Sequence, residues 1–107
     1  MITVLWEYQV KADRVVEFEK IYASDGTWAE LFKKGNGFLG TKLLHSIDQP
    51  QRYITIDRWE STKDYRSFLS QWKDEYEKLD RQCEGLTERE NCLGTFDAGS
   101  NNEEQME

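Results

Sequence analysis

The side chains with the clearest chemical potential alternate along one short segment, Y-I-T-I-D-R-W, at positions 53–59. Alternate residues of a β-strand point to the same face, so Tyr53, Thr55, Asp57 and Trp59 share one side of the chain. An aspartate beneath packed elements must be hydrogen-bonded, ion-paired or next to a cavity, because burying it unpaired is costly. Two interpretations of Asp57 stay open: an ion pair with a lysine or arginine, or a pocket base with a raised pKa.

Hydrophobic periodicity predicts the elements that position this row. Period-two alternation predicts four strands, at 2–10, 38–47, 52–60 and 89–97. Helical spacing predicts a helix over 13–23, a short helix over 27–34 and a long helix from the N-cap Ser61 to Cys83. The order predicts an α+β, ferredoxin-like split βαβ fold: a four-stranded antiparallel sheet, two main helices on one face and a short extra helix.

Both faces of the predicted sheet carry apolar residues. Ile54 and Ile56 lie on the opposite side of the third strand from Trp59, and Leu5 likewise opposes Trp6 on the first strand. Because the helices cover only one face, the other face needs a partner. A two-fold homodimer packed sheet to sheet, a dimeric α/β barrel, is the simplest expectation.

Length and composition limit the remaining possibilities. With 107 residues, the chain is expected to form one domain over 1–97, and the polar, acidic segment 98–107 is expected to be a disordered tail. The net charge is −7 and no basic stripe is present, which argues against a nucleic-acid partner.

Targeting signals are not evident either. No segment has the pattern of a signal peptide or the length of a membrane span, so no membrane partner is expected. Cys83 and Cys92 do not form a disulfide framework, and we expect reduced thiols in the cytoplasm.

From Met1 to Asp97 the sequence resembles the antibiotic biosynthesis monooxygenase-like family of the dimeric α/β-barrel superfamily. The similarity is carried by Y-I-T-I-D-R-W-E-S-T-K-D-Y-R-S-F, a hydrophobic strand ending in W-x-S before an aromatic-rich helix start. The resemblance implies a cofactor-independent monooxygenase that binds an aromatic phenol or quinol between sheet and helices, with no metal or flavin. Trp59 and Tyr65 match the family's Trp and Tyr, and Thr55 occupies the position of its Asn.

Site residues follow from this resemblance and from the strand pattern. The candidate catalytic residues are Trp59, Tyr65, Thr55 and Asp57. Trp59 and Tyr65 would anchor the ring, while Thr55 and Asp57 would hold or deprotonate a substrate hydroxyl. The candidate substrate-binding residues are Tyr53, Trp28, Phe32, Trp6 and Trp72, with Trp28 and Phe32 on the short helix closing the mouth of the pocket.

Simpler interpretations stay open. Trp59, Tyr53 and Tyr65 could be ordinary core residues, and the whole chain could be a non-catalytic homodimeric module that binds a small ligand or only assembles. Cavity volume beside Trp59 discriminates these alternatives. A related haem-degrading branch has its axial histidine on the second helix, whereas the sole histidine here, His45, is on the second strand. Neither haem chemistry nor a metal site is therefore expected.

Overall fold

The computed structural model describes residues 1–98 and confirms the predicted fold class. The strands are β1 (Ile2–Val10), β2 (Phe38–His45), β3 (Arg52–Trp59) and β4 (Thr87–Asp97). The helices are α1 (Val15–Tyr22), α2 (Thr27–Phe32), α3 (Thr62–Gln71) and α4 (Lys73–Cys83). Short 3-10 turns at Ala12–Arg14 and Glu84–Leu86 precede α1 and follow α4.

The strands form one antiparallel sheet in the order β2-β3-β1-β4. Strand β3 is central, and its register places Asp57 between Val4 of β1 and Thr41 of β2. Every second residue of β3 is buried, beginning with Tyr53. This alternation is the expected result of covering one sheet face with helices.

The core lies between the sheet and the helices. Each helix contributes an apolar stripe to it, as Phe18 does from α1, Phe68 from α3 and Leu79 from α4. The short helix α2 buries both Trp28 and Phe32. A helix of this length is not stable alone in water, so these two side chains hold it against the rest of the molecule.

The second main helix differs from the prediction of one continuous helix, which is wrong at Trp72. At that residue the backbone leaves the helical region, with φ −110° and ψ 27°, and α3 ends and α4 begins there. The Trp72 ring is partly buried against the core, and the ammonium of Lys34 lies 5.0 Å from its centre. No Gly or Pro is present at the break, so the sequence carries none of the usual signals of a kink.

Strand β4 contains a β-bulge that changes which face its residues occupy. Gly94 pairs with Leu5 and has a positive φ of 136°, whereas Cys92 pairs with the next residue, Trp6. The extra residue between them reverses the alternation, so Glu90, opposite Tyr8, lies on the helix-covered face.

The two ends of the predicted domain meet in the sheet. Ile2 pairs with Asp97, and the Ala98 amide donates to the Met1 carbonyl oxygen at 3.0 Å. The rest of the predicted tail lies outside the described residues. None of the helices within residues 1–98 has both the length and the apolar character needed to cross a bilayer.

Candidate functional site

The inner row of β3 is buried along its whole length. Tyr53, Thr55, Asp57 and Trp59 are 1%, 4%, 8% and 0% exposed. They divide into two environments, however: Thr55 and Asp57 line a cavity, whereas Tyr53 and Trp59 are enclosed by other side chains.

The cavity lies between the centre of the sheet and helices α2 and α4. Its aromatic lining consists of Trp6, Tyr8, Tyr22, Trp28, Phe32 and Tyr76. Its polar lining consists of Thr41, Thr55, Asp57, Asp80 and Glu90. The cavity has a free volume of about 30 Å³, and the empty space is about 430 Å³ when the open mouth is included. That free volume suits one or two small molecules the size of water, so a ring-sized ligand requires the wall to move.

Two hydrogen-bonded pairs form the polar floor. The Thr41 hydroxyl donates to Oδ1 of Asp57 at 2.5 Å, a contact that follows from their direct pairing across β2 and β3. The hydroxyls of Tyr8 and Thr55 lie 3.2 Å apart and either can donate. Each pair joins neighbouring strands, which places four polar groups side by side beneath the helices.

Asp57 is the carboxylic acid of the floor, and its pKa is raised. Burial raises its pKa from the usual 3.8 to about 6, and the hydrogen bond from Thr41 opposes this rise. The Thr41 hydroxyl donates to Oδ1, whereas Oδ2 has no hydrogen-bond donor among residues 1–98. Within the same residues no lysine or arginine is paired with Asp57, so the pocket interpretation of this residue is favoured over an ion pair.

Asp80 and Glu90 bring two further carboxyl groups to the rim of the cavity. Burial raises the pKa of Asp80, with repulsion from Glu84 adding to it and Arg81 opposing it. Burial also raises the pKa of Glu90, helped by repulsion from Asp80 and Glu84. The cavity is therefore strongly acidic on its open side.

Aromatic rings close the cavity above this floor. Trp28 of α2 and Tyr76 of α4 meet edge to face, with ring centres 5.0 Å apart. On the inner side, Tyr22 lies 5.0 Å from Tyr8 and 6.2 Å from Trp28. Because α2 and α4 belong to separate segments of the chain, displacing the Trp28–Tyr76 contact would widen the mouth without breaking the sheet.

Trp59 and Tyr65 lie next to this cavity and not in its lining. The Trp59 ring is surrounded by Phe38, Phe68 and Phe32, with ring centres 5.2, 5.1 and 5.9 Å away. Tyr65 is half-buried, 5.6 Å from Trp59. Phe32 contacts Trp59 and also lines the cavity, so it is the shared wall between the two regions.

The remaining predicted binding residues fall in different places. Trp6, Trp28 and Phe32 line the cavity. Tyr53 is not part of the lining: its hydroxyl donates to Glu19, and its ring stacks on His45 with ring centres 4.2 Å apart. Trp72 packs at the break between α3 and α4, and its buried indole N–H has no hydrogen-bond partner among residues 1–98.

The histidine and cysteine side chains within residues 1–98 do not form a metal site. His45 is exposed, with Nε2 2.7 Å from the Pro50 carbonyl oxygen, and Cys83 and Cys92 are free thiols. Within residues 1–98 no three histidine, cysteine, aspartate or glutamate side chains converge closely enough to hold a metal ion.

Sequence reasoning did not select Tyr8, Tyr22, Thr41, Tyr76, Asp80 or Glu90 as site residues. The tyrosines fit apolar stripes and were indistinguishable from core, although a buried Tyr in place of Phe indicates a polar tip that needs a partner. Gly94 inside a strand pattern was the available signal for Glu90, because an isolated strand glycine indicates a bulge and hence a change of face.

A ferredoxin-like sheet with helices on one face and an aromatic, carboxylate-bearing cavity beneath them defines the class of protein. The family model described as antibiotic biosynthesis monooxygenase matches residues 1–78, and the chain belongs to this family. The match includes every predicted catalytic residue, and it ends before Asp80 and Glu90. No match was found among functionally curated proteins.

Solved structures share the fold. SnoaB, a cofactor-independent oxygenase from Streptomyces nogalater, is 23% identical, with a TM-score of 0.75 over 92% of this chain and 93% of that one. A variant of SnoaB gives 24% identity, a TM-score of 0.76 and 91% coverage of each chain. A conserved protein from Methanosarcina mazei Go1 is 13% identical, with a TM-score of 0.68 and 89% coverage of each chain.

Proposed function

We propose that this protein is a cofactor-independent monooxygenase that acts on an aromatic phenol or quinol in the cavity above Asp57. The observation that carries the proposal is Asp57 itself: a nine-tenths-buried carboxyl group with one oxygen held by Thr41 and the other without a donor among residues 1–98. Family membership and the likeness to SnoaB support the reaction class.

Asp57 is suited to take a phenolic proton. With a pKa near 6, it is mostly ionised at neutral pH and is a stronger base than an exposed aspartate. Thr41 fixes the orientation of the carboxylate through Oδ1, which leaves Oδ2 as the proton acceptor. Thr41 is therefore a positioning residue in this mechanism.

Thr55 and Tyr8 would hold the substrate oxygen. The family's Asn position is occupied by Thr55, which brings one donor where Asn brings two. Tyr8 supplies a second hydroxyl 3.2 Å from it, and burial raises the Tyr8 pKa well above its usual value, so this group stays protonated and able to donate. Together the two hydroxyls can stabilise a phenolate oxygen as charge develops on it.

The reaction balances with dioxygen as the sole co-reactant. Asp57 takes the phenolic proton, and the phenolate reduces dioxygen to form a carbon–oxygen bond at a ring carbon. The peroxide takes the phenolic proton back from Asp57, and transfer of the ring carbon's own proton to the Asp57 carboxylate then breaks the oxygen–oxygen bond and makes the new carbonyl. The second oxygen atom leaves as water with the proton from Asp57, so phenol and dioxygen give quinone and water. The protein contributes orientation, hydrogen bonds and exclusion of solvent.

The other predicted residues keep proposed roles around this centre. Trp28 and Phe32 would form the movable wall and Trp6 the side wall. Trp59 would support that wall through its contact with Phe32, and Tyr65 would support it through its ring contact with Trp59. Trp72 would support the wall from the end of α3. Tyr53 would fix β3 by its bond to Glu19.

A sheet-to-sheet homodimer is part of the proposal. On the uncovered face Leu44 and Phe96 are 46% and 48% exposed, beside the half-buried Leu5, Ile54 and Ile56. A second copy would bury this apolar surface through a two-fold axis. The free thiols of Cys83 and Cys92 agree with a cytoplasmic location, which we propose with it.

A non-catalytic homodimeric ligand-binding or assembly module is the second candidate. The observation that favours it is the small free volume of the cavity, about 30 Å³. A protein that does no chemistry has no need for this wall to open to a ring-sized substrate.

Oxygen consumption separates the two candidates. Purified protein, free of metal and flavin, is mixed with anthrone-like phenols and hydroquinones, beside the Asp57→Asn variant and an Asp74→Asn control on the exposed side of α4. Uptake well above the spontaneous rate that falls at least about a hundredfold in Asp57→Asn and is unchanged in Asp74→Asn is expected for a general base. Equal uptake by Asp57→Asn and the unaltered protein would refute this mechanism. Absence of uptake together with no ligand-induced rise in melting temperature would favour the assembly module.

A further inference from the structure

Among the described residues, the charged side chains that line the cavity are all acidic. Asp57, Asp80 and Glu90 line it, and no lysine, arginine or histidine within the described residues does so. Arg81 lies outside the lining and opposes the rise in the pKa of Asp80. A cavity built this way opposes an anionic ligand and favours a cationic one.

Asp57 provides an independent indication of a ligand. The side chain is 8% exposed, its Oδ1 accepts from Thr41, and Oδ2 finds no donor among residues 1–98 although the residue lines the cavity. Buried carboxylate oxygens normally accept hydrogen bonds, so a free one at a cavity wall indicates a place for an external donor.

Aromatic rings complete the same space. Trp28, Tyr76 and Tyr22 line it, with the Trp28 ring 5.0 Å from Tyr76 and 6.2 Å from Tyr22. Ring faces attract ammonium groups, and aromatic cages bind alkylated amines in this way. Rings and carboxylates together therefore select the same ligand charge.

We propose that the ligand of this cavity carries a protonated amine attached to its phenol or quinol ring, with the amine held between the rim carboxylates Asp80 and Glu90 and the Trp28 and Tyr76 rings. The inference rests on the proposed function, whose site it uses, and it names the substrate class. It also explains how a reaction that passes through a phenolate proceeds among carboxylates: the ammonium group of the substrate offsets the negative charge that develops on its own oxygen.

A metal ion is the competing occupant of an acidic cavity. It requires carboxylate oxygens that converge to within about 2–2.6 Å of one point. Within residues 1–98 no three potential ligands do so. An ammonium group with its alkyl chain spans a wider gap, and it also uses the ring faces, which a metal ion does not need.

The test compares three hydroquinones whose side chains are similar in size and differ in charge. Ethylhydroquinone is neutral, its aminoethyl analogue is a cation and its carboxymethyl analogue is an anion. Each is titrated by calorimetry into the full-length protein under argon, so that binding is measured without oxidation. We expect the cation to bind about tenfold more tightly than the neutral compound, and the anion to bind most weakly.

Charge-neutral variants locate the effect. Asp80→Asn and Glu90→Gln lie at the rim, and each is expected to reduce the preference for the cation by about threefold, with the double variant removing it. Asp74→Asn, which removes the same charge from α4 away from the cavity, is expected to keep the full preference. Melting temperatures show that each variant is folded.

Two results would overturn the inference. One is binding of the cation that is equal to or weaker than binding of the neutral compound, including no binding of the cation at millimolar concentration. The other is a preference for the cation that survives in the double variant. Aerobic controls separate this outcome from failure of the proposed function. Oxygen uptake with ethylhydroquinone but no charge preference keeps the monooxygenase and removes the inference. Charge-selective binding without uptake keeps the inference and contradicts the monooxygenase.

Discussion

Trp59 and Asp57 are neighbours on the same face of the same strand, yet their surroundings are opposite. Trp59 is fully buried among phenylalanine rings, whereas Asp57 borders a cavity and retains one oxygen without a donor among residues 1–98. Their cross-strand neighbours on β1, Ile2 and Val4, are both apolar and buried. Strand β1 therefore does not make the difference, whereas β2 contributes to it by placing Phe38 beside Trp59 and Thr41 beside Asp57.

The elements above the sheet also differ between Trp59 and Asp57. Over Trp59, Phe68 of α3 fills the space, and the loop after α2 approaches so closely that a side-chain carbon at Gly35 would lie 2.8 Å from Phe68 and 3.1 Å from Trp59. Over Asp57, α2 and α4 meet at the edge-to-face contact of Trp28 with Tyr76, and the cavity lies beneath it. The comparison shows that one strand face can serve stability at one end and leave space for a ligand at the other.

The largest expected effect is on the filled side. Trp59→Ala should lower the free energy of unfolding by about 3–5 kcal/mol, because a large ring is removed from a closely packed cluster. Trp6→Ala, which removes the same ring from the half-buried cavity wall, should cause a clearly smaller loss. Urea unfolding of the three proteins measures both changes.

The opposite outcome would change the comparison. A Trp59→Ala protein of nearly unaltered stability that no longer binds the hydroquinone ligands would assign Trp59 to the site and not to the core. Trp59 would then have the direct ring-anchoring role that the family resemblance implies.

The second effect is on the cavity side and depends on pH. The pKa of Asp57 is raised in the folded protein to about 6, against an ordinary value of 3.8. A folded state that holds its proton more tightly gains stability below the unfolded pKa and loses it as pH rises through the folded pKa. Stability attributable to Asp57 should therefore fall by about 2 kcal/mol between pH 4 and pH 7.

Asp57→Asn removes this titration and keeps an oxygen that can accept from Thr41. Its stability relative to the unaltered protein should therefore rise between pH 4 and pH 7, as measured by urea unfolding at both values. Asp80 and Glu90 titrate in both proteins, so the difference isolates Asp57. A constant difference across this range would mean that Asp57 is not perturbed by its burial.

The two regions also differ in how far they could be predicted from the sequence. The alternation through Tyr53, Thr55, Asp57 and Trp59 predicted correctly that all four share the helix-covered face, since strand periodicity is a local property. Which of them borders empty space depends on the lengths and rings of α2 and α4, which are distant in the chain. The sequence therefore predicted a pocket along the whole row from Tyr53 to Trp59, whereas the cavity of the structure is lined by Thr55 and Asp57 alone of these four.

The break at Trp72 and the bulge at Gly94 are the structural reasons for this limit. Trp72 ends α3 without a helix-breaking residue, so the apolar stripe gave no sign that α4, with Tyr76 and Asp80, begins a new segment. The bulge moves Glu90 to the inner face, which strict alternation does not allow. The break is a feature of tertiary packing and not of local propensity, whereas the bulge did have a local signal in Gly94.

The smallest expected effect measures how tightly the Trp59 region is filled. Gly35→Ala should lower the free energy of unfolding by about 1–3 kcal/mol, because the added carbon would overlap Phe68 and press on Trp59. Gly85→Ala is the matched control: an added carbon there meets nothing within 4 Å, and the loss of backbone freedom in the unfolded chain should leave stability equal or raised by about 0.4–1 kcal/mol. Thermal or urea unfolding of the two variants gives the difference directly. If Gly35→Ala were as harmless as Gly85→Ala, the loop above Trp59 would be able to shift, and the filled end of β3 would share the mobility that ligand entry demands of the cavity end.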